Sequence, residues 1–421
     1  MRKLRFKQFL RERNQFSKTG DESLLSVSEY YGVKPRAEAF QSEEHESRAA
    51  TLEGYRIVKK DDLVMNYMLA WKGAYGISDH EGIVSPAYSV FKVDQNTVDV
   101  RYLHHRTRSN DMKAYFRSRS KGIIDSRLRL YPDSLLASYV EIPDLATQRQ
   151  IADFLDRETA RIDLLIEKKQ RLVALLAERF NARRNDEFQQ IPGSQYQPLR
   201  WLIFQICDGP FGSGLTSAHY SETGVRVIRL QNIKDGGFDE TDAAFISDDH
   251  YATLGDHDVK AGDLLIAGLG DEKNKVGRAC VAPCDLGAAM VKADCYRVRL
   301  KKNLISHFFA AEYLCSGESW PQIDALAKGV TRSRLNLELV RRIRMPVPSL
   351  AEQNDIMARI NEERQVINSV FVRVSASIDR LKEYRGALIA AAVTGQIDVQ
   401  TYARSGATNP RLDAIREEMA P

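Results

Sequence analysis

The chain has 421 residues, 43% of them hydrophobic and 28% charged, a balance that excludes a disordered chain. Its formal net charge of +4 is too small to indicate a nucleic-acid ligand by itself. No stretch approaches the roughly 20 apolar residues that span a membrane, and the basic N-terminus lacks the apolar run of a signal peptide. The five cysteines lack zinc-site spacing, so we expect a cytoplasmic protein without a structural metal.

In chain order, the sequence predicts two domains of mixed helices and strands. Each domain is followed by one long helix, and the second helix is followed by a tail. Short alternating apolar runs, such as Val225–Leu230, are typical of strands within an α+β fold. The predicted boundaries are 1–139 for the first domain, 140–190 for the first helical spacer, 191–345 for the second domain, 346–399 for the second helical spacer and 400–421 for a flexible tail.

Each predicted helix begins after a proline, Pro143 or Pro348, and carries one narrow apolar stripe with charged flanks. The first stripe comprises Leu155, Ile162, Ile166, Val173, Leu176 and Phe180, and the second comprises Ile360, Ile367, Phe371, Val374, Ile378, Leu381 and Leu388. A stripe this narrow favours one helical partner, so we expect the two helices to pair as an antiparallel coiled coil that acts as a spacer. The alternative is that both stripes are ordinary bundle core.

The chain also repeats itself. The segment 142–148 recurs 205 residues later as 347–353, and upstream the segment 121–128 aligns with 328–335 at an offset of 207. The sequence therefore predicts a pseudo-two-fold internal repeat with two copies of one domain-plus-helix unit. Such a protein presents two similar surfaces, which suits recognition of two sites on one extended ligand.

Basic residues cluster at matching places in both copies. Between Arg101 and Leu130 there are nine Lys or Arg residues against two acidic ones, and a similar bias covers 292–302 and 328–344. Cations hold phosphates and arginine can pair with guanine, so the candidate DNA-binding residues are Lys121, Ser126 and Arg127 in the first copy and Lys328, Arg332, Ser333 and Arg334 in the second. The alternatives are a solvated face and a structural turn before the last strand.

Gln231 and Asn232 follow a predicted strand in the second domain. A side-chain amide can read adenine by a bidentate contact, so both residues are candidates for base recognition. The alternative is that they are buried amides that satisfy a loop.

These pieces together resemble the DNA specificity subunit of Type I restriction-modification enzymes. The resemblance rests on the order of several motifs, namely Trp71–Ala74, Gly82–Tyr88, Asp208–Ser213, Val227–Ile233, the two helix starts with the pattern Pro-x-Leu-Ala-x-Gln, and the closing Ala391–Asp398. It implies two target recognition domains that alternate with two helical regions. The first copy departs from the pattern because its helix lacks the Val-Thr-Gly ending and its domain lacks a Gln-Asn motif.

The resemblance also implies partners and a division of labour. The chain would be a non-catalytic subunit that binds double-stranded DNA, two methyltransferase subunits and restriction subunits, with Leu145, Gln148, Leu350 and Gln353 facing those partners. Helix capping and core packing are the alternative roles of these four residues. The chain itself would bind no cofactor, since S-adenosylmethionine, ATP and magnesium would lie on the partner subunits. The competing interpretation is a free-standing bipartite DNA-binding or scaffold protein that dimerises through its coiled coil.

The sequence contains no convincing catalytic motif. It has no phosphate-binding loop of the Gly-x4-Gly-Lys-Ser/Thr type and no Asn-Pro-Pro-Tyr-like segment for adenine methylation. Asp144 and the run Glu167-Lys168-Lys169 superficially match a metal-dependent nuclease signature. On a continuous helix, however, Asp144 and Glu167 would lie about 34 Å apart, too far to share one metal ion.

Overall fold

The computed structural model describes residues 1–29, 31–39, 51–124, 127–192, 195–327 and 333–405. The chain forms two compact units. The first comprises Met1–Gln170 together with the chain from Val374 onward, and the second comprises Arg171–Arg373. None of the helices in the described ranges is long and apolar enough to cross a membrane.

The first unit contains the elements of the N-terminal domain. Its strands are β1 Arg2–Arg5, β2 Leu10–Glu12, β3 Leu25–Ser28, β4 Gly32–Pro35, β5 Arg56–Val58, β6 Leu63–Asn66, β7 Tyr75–Ile77, β8 Gly82–Val84, β9 Tyr88–Val93 and β10 Tyr139–Ile142. Its helices are α1 Arg36–Ala39, α2 Val100–Arg108, α3 Asn110–Arg119 and α4 Pro132–Ala137, and the long helix α5 Leu145–Gln189 begins in this unit.

The second unit contains a second set of strands and short helices. Its strands are β11 Tyr196–Pro198, β12 Ile203–Cys207, β13 Tyr220–Ser221, β14 Val225–Ile228, β15 Phe245–Ile246, β16 Asp258–Val259, β17 Leu264–Ala267, β18 Ala279–Val281, β19 Ala289–Val291, β20 Cys295–Leu300 and β21 Arg344–Pro346. Its helices are α6 Leu199–Leu202, α7 Asp248–Ala252, α8 His307–Leu314, α9 Trp320–Leu326 and α10 Leu337–Arg342. The long helix α11 Leu350–Val393 begins here, and the short helix α12 Val399–Ser405 lies in the first unit.

Each unit is built on a four-stranded sheet, and the two sheets have the same strand order. The order is β2-β9-β6-β7 in the first unit and β12-β20-β17-β18 in the second. The outer strands begin their pairing at matching positions, since Leu10 lies opposite Val93 and Ile203 lies opposite Leu300, and only the second pair has a register shift, between Ile203 and Gln205. A separate two-stranded ladder, β1-β10 or β11-β21, ends immediately before each long helix. The predicted α+β fold with an internal repeat is therefore confirmed.

The two units differ in what surrounds this shared sheet. The second unit adds a five-stranded sheet with the order β13-β15-β14-β19-β16, whereas the first has the two-stranded pairs β3-β4 and β5-β8. In the added sheet β14 and β19 run parallel, and their buried side chains contribute to two small cores of their own. This difference explains why the sequence repeat is clear near the helices and weak within the domains.

The two long helices start at equivalent positions with a polar cap. Asp144 accepts hydrogen bonds from the backbone N–H and the hydroxyl of Thr147, at 3.0 and 2.8 Å. Ser349 and Glu352 form the reciprocal contacts of a capping box, with the Ser349 N–H donating to Glu352 Oε2 at 2.8 Å. These capping bonds satisfy amide groups that the first turn of each helix leaves unpaired.

The helices pair with opposite polarity within each unit. In the first unit the start of α5, including Leu155 and Ile162, shares a core with the end of α11, including Leu381 and Leu388. In the second unit Phe188 near the end of α5 shares a core with residues near the start of α11, such as Ile360. The antiparallel pairing is thus confirmed. The prediction was wrong for Phe371, which is 47% exposed and is not part of the seam.

The residues of the predicted tail up to Ser405 are helical in the structure. Val399–Ser405 forms α12, in which the side chain of Tyr402 is buried. The Tyr402 and Tyr384 hydroxyls are 2.7 Å apart within hydrogen-bond distance, and the Tyr402 ring packs edge-on against Phe154 at a centroid distance of 5.8 Å. Val399 and Tyr402 hold this short helix in the core of the first unit, and two buried residues are too few to show an apolar periodicity. Residues 406–421 lie outside the described residues.

The other predicted boundaries stay predictions. The sequence divides the chain into consecutive domains and spacers, whereas the two units group residues by spatial contact. The two divisions therefore describe different properties, because each long helix begins in one unit and ends in the other.

Candidate nucleic-acid interface

In the first unit the candidate residues lie on a loop that is closed at its base. Lys121 and Arg129 exchange two backbone hydrogen bonds of 2.8 Å each. Gly122 sits inside this closure with a φ of +150°, and a Cβ there would lie 2.6 Å from the Arg127 carbonyl oxygen. Only glycine fits such a position. Lys121 and Arg127 are exposed, and neither forms an ion pair with any residue in the described ranges.

In the second unit the matching loop is attached to the segment that follows β17. The Gly270 N–H donates to the Ser333 carbonyl oxygen at 2.9 Å, and the Leu335 N–H donates to the Gly268 carbonyl oxygen at 2.9 Å. Ser333 is half-buried and Arg334 is exposed. This attachment places Arg334 at the surface beside the end of the central strand β17.

The same attachment in the first unit identifies a residue that the sequence alignment missed. There the Leu130 N–H donates to the Tyr67 carbonyl oxygen at 3.0 Å, and Leu130 and Leu335 are both fully buried. The structural counterpart of Arg334 is therefore Arg129, not Arg127. The alignment pairs the two segments at an offset of 207 residues, whereas the equivalent leucines Leu130 and Leu335 pair them at an offset of 205. The missed signal was the apolar residue, Leu130 or Leu335, that directly follows the arginine in each copy.

The Arg334 side chain is held by two neighbours. Its Nη2 donates to Asp294 Oδ1 at 2.7 Å, and its guanidinium carbon lies 5.9 Å from the ring centroid of Phe211. The Phe211 side chain is 55% exposed and belongs to the segment Asp208–Ser213 noted in the sequence. The pKa of Arg334 is raised, chiefly by the nearby Asp294 charge, so the side chain remains cationic.

Asp208 stabilises the backbone at Asp294, the ion-pair partner of Arg334. Its Oδ1 accepts hydrogen bonds from the backbone N–H groups of Gly209 and Asp294, at 2.7 and 2.8 Å. Burial raises the pKa of Asp208 to about 6, because the charged carboxylate is partly removed from water.

This pKa makes the stability of the second unit pH-dependent. A carboxyl whose folded-state pKa is raised contributes stability that is present below its unfolded pKa of 3.8 and is lost as the pH rises through about 6. We expect the free energy of unfolding to be higher at pH 5.0 than at pH 7.5 for the wild type. In the Asp208→Asn variant that difference should shrink, which urea denaturation at both pH values would measure. An unchanged difference would mean that other groups cause the dependence.

Gln231 and Asn232 have different environments. Gln231 is exposed on a short 3-10 turn, Leu230–Asn232, and stays a candidate. Asn232 is fully buried, which favours the alternative over its predicted role in DNA binding. Its amide accepts from the Arg229 N–H at 2.8 Å and donates to the carbonyl oxygens of Asp239 and Asp242 at 2.9 and 2.7 Å. All of these bonds satisfy a loop, as in the alternative weighed from the sequence.

Gln148 and Gln353 are also internal, which favours the alternative role in core packing over the predicted contact with partner proteins. Both side chains are fully buried. Gln148 accepts from the Asp99 N–H at 2.9 Å and donates to the carbonyl oxygens of Thr97 and Pro143 at 3.4 and 2.9 Å. The two glutamines join each long helix to the end of the domain before it.

Gln353 makes the same three bonds in the second unit. It accepts from the Ser306 N–H at 2.9 Å and donates to the carbonyl oxygens of Leu304 and Pro348 at 2.8 and 2.9 Å. Leu145 is half-buried and Leu350 is 40% exposed, so these two residues stay available for a partner.

Three predicted residues, Ser126, Lys328 and Arg332, lie outside the described residues. Within the described ranges, no group of three or more His, Cys, Asp and Glu side chains is arranged to hold a metal ion. Asp144 serves as the cap of α5, and Glu167 lies on the same unbroken helix, about 34 Å away at 1.5 Å per residue. These two residues do not form a nuclease site.

Comparison with known curated proteins gives relatives that are Type I restriction enzyme specificity subunits. No family model matches the chain. The chain is 27% identical over 179 residues to the specificity subunit of the Type I restriction enzyme StySPI from Salmonella potsdam, covering 41% of this chain and 36% of that protein. It is 24% identical over 182 residues to the EcoBI specificity subunit from Escherichia coli, covering 43% of this chain and 37% of that protein. The matched segment spans little more than a third of these relatives.

The fold comparison covers more of the chain. A solved structure that concerns complex assembly and conformational transition of the type I R-M system contains a chain with a TM-score of 0.61 and 16% sequence identity. That match covers 93% of this chain and 97% of the other. The chain is thus similar to Type I restriction enzyme specificity subunits in sequence over the matched segment, which confirms the predicted resemblance. Over most of its length it shares the fold of a chain from a type I R-M system.

Proposed function

We propose that this chain is the non-catalytic DNA specificity subunit of a Type I restriction-modification complex. In this proposal each domain recognises one half of an interrupted target. The observation that carries the proposal is an arrangement that occurs in both units. In each unit a loop with an arginine is hydrogen-bonded, through Leu130 or Leu335, to the residue that follows the third strand of the four-stranded sheet. Two equivalent loops that each carry an arginine fit a ligand that offers two similar sites, as duplex DNA does.

The side chains of the first loop suit the DNA backbone. Lys121 and Arg127 are both exposed cations. Such charges are attracted to phosphates and fix the position of a protein on the duplex without reading its sequence. We assign both residues to phosphate contacts.

The helices would bind the catalytic partners. Several large apolar side chains on both helices are exposed, which is unfavourable in water unless another protein covers them. They are Leu164, Leu165, Leu172, Leu175, Leu350, Val366, Phe371 and Val372. In the proposal these surfaces dock two methyltransferase subunits, and restriction subunits join the assembly. S-adenosylmethionine, ATP and magnesium would belong to those subunits.

Base-resolved mapping of DNA methylation tests the proposal. The chain is co-expressed with the modification subunit from the same genome, and methylated adenines are located by single-molecule sequencing. The expected result is an interrupted two-part motif that disappears when this chain is deleted and changes in one half when residues 1–139 are exchanged. Methylation that is the same with and without the chain would contradict the proposal and favour the free-standing DNA-binding protein.

A phosphate role for the first loop predicts a specific change in salt dependence. In the Lys121→Gln/Arg127→Gln variant, we expect binding of the assembled complex to weaken on all DNA sequences alike. The slope of log affinity against log salt should fall by about 2, since each lost phosphate contact removes roughly 0.9. The methylation motif should not change. A changed motif with an unchanged slope would instead show that these side chains read bases.

A further inference from the structure

The Arg334 guanidinium is oriented by its neighbours and still has unused donors. Its Nη2 is bonded to Asp294 Oδ1, and the guanidinium carbon lies 5.9 Å from the centre of the Phe211 ring. Its side chain is 51% exposed, and the rest of the guanidinium donates no hydrogen bond to the described part of the chain. The guanidinium is therefore fixed by Asp294, and its remaining N–H groups can donate to a ligand.

Asp294 is itself held in an uncommon backbone conformation. Its φ is +65°, in the left-handed region, which among the described non-glycine residues is shared only with Asp61. The Asp294 N–H donates to Asp208 Oδ1 at 2.8 Å, and its carbonyl oxygen accepts from the Gly268 N–H at 2.7 Å. Backbone conformations of this kind are retained when neighbouring contacts fix them, and they concentrate at functional sites.

The same short segment anchors both members of the ion pair. The Gly268 N–H binds the Asp294 carbonyl oxygen, while the Gly268 carbonyl oxygen binds the Leu335 N–H next to Arg334. There is no room for a side chain at Gly268, since a Cβ would lie 2.4 Å from atoms of the Tyr296 ring. The N–H and the carbonyl oxygen of Gly268 thus fix the positions of Asp294 and Arg334 relative to each other.

An arginine can contact either a phosphate or a base of DNA, and the net charge around it distinguishes the two cases. A phosphate contact depends on net positive charge, but Arg334 and Asp294 together are neutral, so their attraction for a phosphate is largely cancelled. A base contact depends on the direction of hydrogen-bond donors, which the ion pair fixes rather than cancels. In contrast, Lys121 and Arg127 are unpaired among the described residues and suit phosphates.

We propose that Arg334 reads a guanine in the half-site of the second domain, through its O6 and N7 atoms, and that Asp294 is the positioning residue that orients it. The ring of Phe211 supports the guanidinium plane. This proposal rests on the proposed function, because it assigns the base-reading contact to one of the two domains.

The test compares single-base specificity in the assembled complex. The variants are Arg334→Ala, Asp294→Asn and the double variant, and asparagine is chosen because it tolerates the same left-handed backbone. The controls are Arg200→Ala, an exposed arginine elsewhere in the unit, and Asp61→Asn, at the other positive φ aspartate. Methylated motifs are mapped by sequencing, and binding to duplexes with single-base substitutions is measured at several salt concentrations.

The expected result is relaxed recognition at one G·C pair of one half-site. For Arg334→Ala, discrimination at that pair should fall about 5- to 150-fold, which corresponds to about 1 to 3 kcal/mol at 1.4 kcal/mol per tenfold. The salt slope and the other half-site should not change. Asp294→Asn should relax the same pair to a smaller degree, and the double variant should be no worse than Arg334→Ala, since Asp294 acts through Arg334.

Three outcomes would overturn the inference. A uniform loss of affinity with a salt slope reduced by about 1 would identify Arg334 as a phosphate contact. An unchanged motif in Arg334→Ala would show that the residue contacts no base. Additive losses in the double variant, on all sequences, would show that Asp294 has only a structural role. Each of these outcomes requires that the wild-type complex yields a bipartite motif, whereas absence of that motif contradicts the proposed function instead.

Discussion

Replacement of Gln148 by leucine is expected to lower the free energy of unfolding of the first unit by about 2 to 4 kcal/mol. Leucine has a similar size but leaves the Asp99 N–H and two carbonyl oxygens without their partner in a fully buried site. Each buried polar group that loses its hydrogen bond costs about 1 to 3 kcal/mol. Because Asp99 caps α2, the loss should spread into the domain as well as the helix start.

Amide hydrogen exchange measures this effect separately in each unit. Protection should fall in the first unit for Gln148→Leu and in the second unit for Gln353→Leu, because the two glutamines make equivalent bonds. The control is Gln150→Leu, which alters an exposed glutamine on the same helix. A change below about 0.5 kcal/mol, the usual size of a surface substitution, would show that the buried amide contributes little.

Under the proposed function, a seven-residue insertion in both long helices is expected to widen the gap of the DNA target and to leave its two halves unchanged. Seven residues lengthen a helix by about 10.5 Å, which matches roughly three base pairs at 3.4 Å each. They also complete nearly two turns, so the apolar seam keeps its face with a drift of only about 20°. Methylation at the original motif should fall to background, and a motif with a longer gap should appear.

The insertion points are bracketed by ion pairs between the helices. Asp163 pairs with Arg385 at 2.9 Å in the first unit, and Arg179 pairs with Glu363 at 2.9 Å in the second. Insertions after Gln170 and after Val374 therefore fall between the two pairs on both helices. The matched control places the heptad in α5 alone, which shifts the seam against α11 and should abolish both motifs. A double insertion that leaves the original gap intact would show that helix length does not set the spacing.

The sequence was most informative where the repeat carries the same chemistry in both copies. The pattern Pro-x-Leu-Ala-x-Gln correctly located both helix starts, since each proline is followed by a cap and a first turn. It did not distinguish a glutamine that faces a partner from one that faces the domain. That distinction depends on Asp99 and Ser306, which lie almost 50 residues away and bind the amide only in the folded chain.

The candidate interface was harder to predict because its contacts also join residues that are far apart in the sequence. An alignment matched Arg127 with Arg334 because it maximised identical letters, whereas backbone bonds from Leu130 and Leu335 match Arg129 with Arg334. Asp294 carried no sequence signal at all, since its role depends on a positive φ and on contacts with Asp208 and Gly268. Residues that bind through tertiary geometry are visible only once the loops are placed.

The first unit combines an early and a late part of the chain, so its core is completed late in synthesis on the ribosome. Its core combines Leu155 and Ile162 with Leu381, Leu388 and Tyr402, so residues from both ends of the sequence are needed to complete it. The second unit is a single continuous stretch of about 200 residues. At about 5 to 20 residues per second, the apolar face at the start of α5 waits roughly 10 to 40 s for its partner. During that interval the apolar face of the nascent first unit is accessible to chaperones and to proteases and is prone to aggregation.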